Sequence, residues 1–238
     1  MKKMIAVCVL VAMIFCLTAC NSTDYKEAKA LFASGNYEEA LPMFEALGDY
    51  EDSAELVKSC KYNMACNLML EESYLQAMEM FTLLGDYEDS AEMAKSCNYK
   101  EATALMAQGE YADAAEMFEA LGDYEDSAEK MKDCHYKEID ELLQGTWIGS
   151  MSYGTFKYEF NNGSFKNTLT IGTASADNQG GYRIDLENQE IYVCYNYTYN
   201  ISSGEGTPND EEKLLLTYTY DGTTLELASD LCDSVVKQ

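Results

Sequence analysis

The residues able to do chemistry are nine cysteines, one histidine and a large surplus of carboxylates. Such side chains can form disulfides, ligate zinc, or serve as nucleophile, acid and base. Spacing argues against most of these uses. Cys8 and Cys16 lie in an apolar N-terminal run that Cys20 closes. Cys60, Cys97 and Cys134 recur at a step of 37 residues, each two positions before a tyrosine. On neighbouring stacked helices they would sit about 10 Å apart, beyond the alpha-carbon separation of about 7 Å that a disulfide tolerates. They read as small buried packing residues. Cys60 and Cys66, with five residues between them, are too loose for a zinc pair. Cys194 and Cys232 remain as a pair that could bridge. His135 occupies a column filled by Lys61 and Asn98 in the earlier units, so it reads as a variable helix-surface position. No serine, cysteine or histidine sits in a motif that would activate it. We therefore expect no catalytic residue, no metal site and no cofactor.

The 42 acidic residues against 16 basic ones give a net charge of −26. That field repels nucleic acid and anionic headgroups, and excludes nucleic acid as a partner. It also serves plain solubility. With 47% hydrophobic residues the chain can build a real core, and 238 residues suggest one or two domains.

The carboxylates are not scattered. The octapeptide GDYEDSAE stands at Gly48–Glu55, Gly85–Glu92 and Gly122–Glu129. Other columns keep the same step: Tyr37, Tyr74 and Tyr111; Ala40, Ala77 and Ala114; Phe44, Phe81 and Phe118. Upstream lies a second set, Tyr25, Tyr62, Tyr99 and Tyr136, with Ala28, Ala65 and Ala102 three positions on. Offsets of three and four place these residues on one stripe of a helix, and a fixed period of this size marks stacked units. Asp52, Asp89 and Asp126, each followed three residues later by glutamate, have the spacing of a capping box. The acids would then start helices. A calcium loop would need a central glycine that is missing here. Gly35 and Gly109 mark inter-helix turns, with Glu72 in the middle unit. Pro42 is expected to bend or loosen its helix.

These columns resemble the tetratricopeptide repeat. The resemblance rests on Ala28, Gly35, Tyr37, Ala40 and Phe44, then Ala65, Tyr74, Ala77 and Phe81, then Ala102, Gly109, Tyr111, Ala114 and Phe118. It departs in its 37-residue period, which should lengthen each first helix (about Asp52 to Glu71 in the second unit), in lacking the usual proline between units, and in Pro42. The resemblance implies an array of antiparallel helix pairs whose groove, lined by first-helix side chains, holds a peptide or a partner helix. Carried over, Tyr25, Lys29, Tyr62, Tyr99, Thr103 and Tyr136 would line that groove. The alternative is that the tyrosines only pack between helices.

The chain opens with Lys2 and Lys3, an apolar run from Met4 to Leu17, and then Thr18-Ala19-Cys20. Charged start, short apolar core and small residues describe a secretory signal, too short for a comfortable membrane span. Leu17-Thr18-Ala19-Cys20 resembles the lipobox of bacterial lipoproteins. That resemblance implies removal of residues 1–19 as a signal peptide, a diacylglycerol with palmitate-type acyl chains on Cys20, and display at the extracytoplasmic face of the cell membrane. Two acyl chains would hold it stably. Residues 20–24 would be the lipidated tether, roughly 15 Å long at about 3.3–3.6 Å per residue. Without the two leader lysines, 42 acids against 14 bases leave −28.

From Gly145 helical spacing gives way to alternation. Seven strands are expected: Thr146–Met151, Thr155–Phe160, Phe165–Gly172, Tyr182–Leu186, Glu190–Tyr199, Lys213–Tyr220 and Thr224–Ala228. Asn162-Gly163 and Asp221-Gly222 should make twist-matched hairpin turns. Gly204 to Lys213 reads as a long acidic loop. Gly145-Thr146-Trp147 resembles the Gly-x-Trp opening of lipocalin-like barrels, which implies Trp147 as the plug of one barrel end and a small apolar ligand inside. Ile191, Val193, Tyr195 and Tyr197 could instead fill that interior.

The expectation is an α+β multidomain chain: an N-terminal α-solenoid of antiparallel helix pairs over 25–144, then a small antiparallel β-barrel or sandwich over 145–238. Its expected function is a non-catalytic, membrane-anchored protein or peptide interaction scaffold. The alternatives are a small-molecule-binding lipoprotein and, with least behind it, a wall-active hydrolase using two carboxylates.

Overall fold

The computed structural model describes residues 21–200, 205–208 and 212–238; the leader and Cys20 lie outside the described residues. It shows seven helices in antiparallel pairs followed by a nearly closed antiparallel barrel. After α1, seen over residues 21–33, come α2 (Tyr37–Leu47), α3 (Ser53–Leu70), α4 (Tyr74–Leu84), α5 (Ser90–Gln108), α6 (Tyr111–Leu121) and α7 (Ser127–Leu143). The period is absorbed where the spacing placed it: α2, α4 and α6 each have 11 residues, whereas α3, α5 and α7 have 18, 19 and 17. Two compact units divide the chain between Ala104 and Leu105, so α6 and α7 belong with the barrel. The change from helix to strand falls at Gln144–Gly145.

In the first unit small residues let helices approach closely. Ala28, Ala40 and Cys60 surround Phe44, and Ala65, Ala77 and Cys97 surround Phe81; all eight are completely buried. Burial also pushes the thiols of Cys60 and Cys97 up to about 11, which keeps them protonated and inert. Pro42 sits inside α2 without interrupting it. One amide is lost, but the buried face of Ala40 and Phe44 holds the helix in place.

Two of the three expected capping boxes, those of α3 and α7, do not form. No side-chain cap bond is made at Asp52 or Asp126. The amide of Leu56 instead donates to the main-chain oxygen of Asp52, 2.9 Å away. Glu51, Glu88 and Glu125 take left-handed backbone (φ 51°, 48° and 50°), which sets the chain's entry into each following helix.

In the second unit nine strands form one sheet: β1 (Gly145–Met151), β2 (Gly154–Asn161), β3 (Ser164–Ile171), β4 (Ala174–Asp185), β5 (Glu190–Asn200), β6 (Glu205–Pro208), β7 (Glu212–Tyr220), β8 (Leu225–Ala228) and β9 (Ser234–Lys237). Their order is β8-β7-β5-β4-β3-β2-β1-β9, with β6 paired only to β5. Seven strands were expected. β4 starts eight residues earlier than Tyr182 because Ala174–Gly181, poor in β-branched residues, is held by its ladder to β3. β6 lies in the stretch expected to be a loop. β9 has only four residues and is held by pairing with β1. The Asn162-Gly163 turn has positive φ at both residues (46° and 78°), as a twist-matched hairpin needs. The β7–β8 turn is different: Asp221 Oδ1 accepts the amides of Thr223 and Thr224 at 2.9 and 2.7 Å, an aspartate-centred loop.

Tyr158, Phe160, Phe165, Ile191, Val193 and Leu216 are buried in the barrel core. Gly149 of β1 leaves room for Cys232, since a Cβ there would lie 2.5 Å from its Sγ. Cys232 and Cys194 are not bridged to each other. Cys232 packs against Gly149 and Tyr158, whereas Cys194 lies on β5 opposite Gly181 and Glu212.

The C-terminus of α7 is welded to the barrel. Side chains bond to three of its last carbonyls, those of Leu142 and Leu143 being ones a helix end leaves open. Trp147 Nε1 donates to Leu143 O (2.8 Å), Lys237 Nζ to Leu142 O (2.5 Å) and Gln144 Nε2 to Asp140 O (2.8 Å). Gln144 also donates to Tyr182 Oη and accepts from the Asn162 amide, both at 2.8 Å, and the Tyr182 hydroxyl donates to Asp140.

Glu72 adopts φ +60°, the left-handed conformation that Gly35 (φ +83°) and Gly109 (φ +87°) supply in the other units. Glu72→Gly should therefore stabilise the protein by about 0.5–1 kcal/mol, read as a higher urea midpoint with an unchanged slope.

Candidate functional site

The strongest recurring constellation in the first unit is built on the tyrosine column. Tyr25 of α1 meets the rings of Phe44 and Tyr50 edge-on, with centroids 6.3 and 5.6 Å away. One repeat later, Tyr62 of α3 meets Phe81 and Tyr87 at 5.6 and 6.1 Å. The ring positions follow from the helical stripe, since each tyrosine lies three residues before a buried alanine. The hydroxyls then reach the acidic turn: Tyr25 donates to Asp52, and Tyr62 donates to Asp89 Oδ1 at 2.6 Å. Each bond spans 27 residues and ties a first helix to the start of the next one.

Lys29 completes the first of these contacts. Its Nζ donates to Tyr25 Oη at 3.1 Å and lies 3.6 Å from Asp52 Oδ2. In the second unit its place is taken by Cys66 and in the third by Thr103. The Thr103 hydroxyl turns back to the Tyr99 carbonyl at 2.8 Å. Tyr99 is half-buried in the same column of α5. Tyr136 of α7 is half-buried against the barrel core, and burial raises its pKa. The column thus carries two kinds of duty. Its early members bond to acids of the repeat, and its last member packs on strands.

The electrostatics follow from these bonds. The hydrogen bond to Asp52 raises the Tyr25 phenol, against a lowering by Lys29. The same bond, aided by Lys29, holds the Asp52 carboxyl below its ordinary range. The hydrogen bond to Asp89 pushes Tyr62 well above a free phenol. A phenol so shifted stays protonated at neutral pH and donates steadily, so the arrangement suits contact and hydrogen bonding rather than proton abstraction.

Trp147 is buried at 3% exposure under the end of α7, with Lys237 Nζ 5.4 Å from its ring centre. Ile191 and Val193 are buried in the barrel core; the side chains of Tyr195 and Tyr197 lie outside the described residues, as does Cys20. His135 is exposed, with Nδ1 3.7 Å from Glu138 Oε2. Sequence reasoning missed Asp52 and Asp89 as tyrosine partners, having assigned them to caps. The constant offset of 27 residues was the available signal.

No protein-family model matches the chain, and no curated protein and no solved structure matches it significantly.

Two outcomes check the tyrosine contacts. Tyr62→Phe should cost about 1 kcal/mol in urea unfolding through loss of one hydrogen bond. Because the Asp52 carboxyl is lowered when folded, its contribution is complete above about pH 4 and is lost as the pH falls through the depressed value. Tyr25→Phe should accordingly flatten the decline in melting temperature as the pH falls below about 4.

Proposed function

We propose that this protein is an exported lipoprotein, anchored through Cys20 at the outer face of a bacterial membrane, that acts as a non-catalytic scaffold for a protein or peptide partner. The observation that supports this most is the repeated Tyr–Asp contact of the first unit, at Tyr25–Asp52 and Tyr62–Asp89. It fixes a row of half-exposed aromatic rings and carboxylates at the spacing of one helix pair, which suits a partner that runs across the helices along the array. The tetratricopeptide-like columns agree with that use. The net charge of −26 favours a basic partner. The alternative of a small apolar ligand inside the barrel has less support, because Tyr158, Phe165, Ile191 and Leu216 already fill interior positions.

Radiolabelled palmitate should enter the full-length protein in cells, and Cys20→Ala should abolish labelling; a labelled mutant would overturn the anchor. The exported chain should capture its partner from the producing organism's surface fraction. Replacing Tyr25, Lys29 and Tyr62 together by alanine should reduce capture about tenfold or more. Undiminished capture by a variant that keeps its helical circular dichroism would overturn the groove.

A further inference from the structure

An apolar concavity of the second unit lies beside α7. It is a cleft of about 270 Å³ between α7, the β4–β5 turn and β7, floored by Ile139, Leu186, Tyr218 and Tyr220. Ile139 and Tyr218 are only 3% and 4% exposed, so the floor is part of the packed core rather than a loose surface. Lys132, His135 and Glu187 stand at its rim. Tyr218 brings a polar group to this apolar floor: its hydroxyl has no hydrogen-bond partner among the described residues.

Immediately beyond Tyr220 lies a second cleft of about 520 Å³, formed by the start of α6, by α7 and by the β7–β8 loop. Four carboxylates line it, Glu110, Asp113, Glu138 and Glu141, and no basic side chain does. The two clefts meet at Tyr220, whose hydroxyl donates to Glu138 Oε1 at 2.6 Å. Burial and that carboxylate push the Tyr220 phenol up to about 12, so the bond persists across the physiological range.

We propose that this paired cleft is an anchor site for a basic peptide segment: one aromatic side chain enters the apolar half, and flanking lysines or arginines lie over the acidic half. The proposal rests on the scaffold reading and adds to it a second contact, on the α7–barrel unit. Three features favour this occupant. An apolar, core-backed pocket suits the aromatic side chains that dominate interface energetics. The Tyr218 hydroxyl can accept the N–H of an indole. The adjoining carboxylates repel an anionic ligand and attract cations, a complementarity that speeds encounter and selects the partner. Acidic peptides and anionic small molecules are disfavoured by the same charges.

His135, the only histidine, gives a proton NMR signal of its ring at the rim that needs no assignment. The exported chain, at fixed pH and ionic strength, is titrated with the pentapeptides Lys-Lys-Trp-Lys-Lys, Lys-Lys-Ala-Lys-Lys and Glu-Glu-Trp-Glu-Glu. The first should shift the His135 ring signal saturably, with an affinity at least about tenfold above the other two. Leu186→Trp, which plugs the apolar half, should abolish the shift. The exposed Glu141→Gln, which leaves the floor intact, should weaken binding severalfold and reduce its salt dependence. Equal shifts from the alanine or the acidic peptide would overturn the proposal, and so would unchanged binding in Glu141→Gln, which stays informative even where Leu186→Trp does not fold. Failure of the peptide with partner capture intact removes this cleft alone; loss of capture through the tyrosine column with the peptide shift intact leaves the cleft standing.

Discussion

Close approach of helices at a column of small side chains is the constraint on which the repeat architecture depends. Ala28, Ala40, Cys60, Ala65, Ala77, Cys97, Ala102, Ala114 and Cys134 are all completely buried, and with them Ser53, Ser90 and Ser127. Nothing larger than a thiol stands in this column, so the helices come near enough for one phenylalanine per unit to fill the seam. The serines carry the constraint furthest. Their hydroxyls are buried without a hydrogen-bond partner, a penalty accepted because a bulkier residue would force the helices apart. The tyrosine contacts are the second consequence: once the helices lie this close, a phenol three residues before an alanine reaches the aspartate that precedes the next helix.

The second unit rests on a different device. Where α7 ends, Trp147, Gln144 and Lys237 bond to its last carbonyls. Lys237 comes from β9, the last strand, so the end of the chain is tied both to the barrel through β1 and to the helix. Trp147 is therefore a joint between helix and strand. A buried indole needs a partner for its N–H, and the helix supplies one. The clefts beside α7 arise from the same joint, since it holds the helix against the strands at one end and leaves concave walls along its flank.

Much of the fold was legible in the sequence because it is written three times. The helix bounds, the lengthened first helices and the small-residue stripe follow from local spacing, and repetition separates signal from accident. The Asn162-Gly163 hairpin was legible for another local reason: only residues tolerant of positive φ suit it. The failures are non-local. Asp52 followed by Glu55 has the look of a capping box, yet the competing donor, Tyr25, is 27 residues away. β9 is only four residues long and the first half of β4 lacks strand propensity; both exist because β1 and β3 offer them ladders.

The sequence by itself determined the repeat, the place where helix gives way to strand, the acidic character and the Cys20 motif, because each is a property of neighbours in the chain or of composition. Tertiary structure alone decided which groups bond to the repeated aspartates, that Cys194 and Cys232 stay apart, that aromatic side chains occupy the barrel, and that the apolar concavity lies beside α7. Those outcomes depend on which surfaces close against one another, and a hydrogen bond or a cleft formed by residues 27 or 80 positions apart leaves no mark on local pattern.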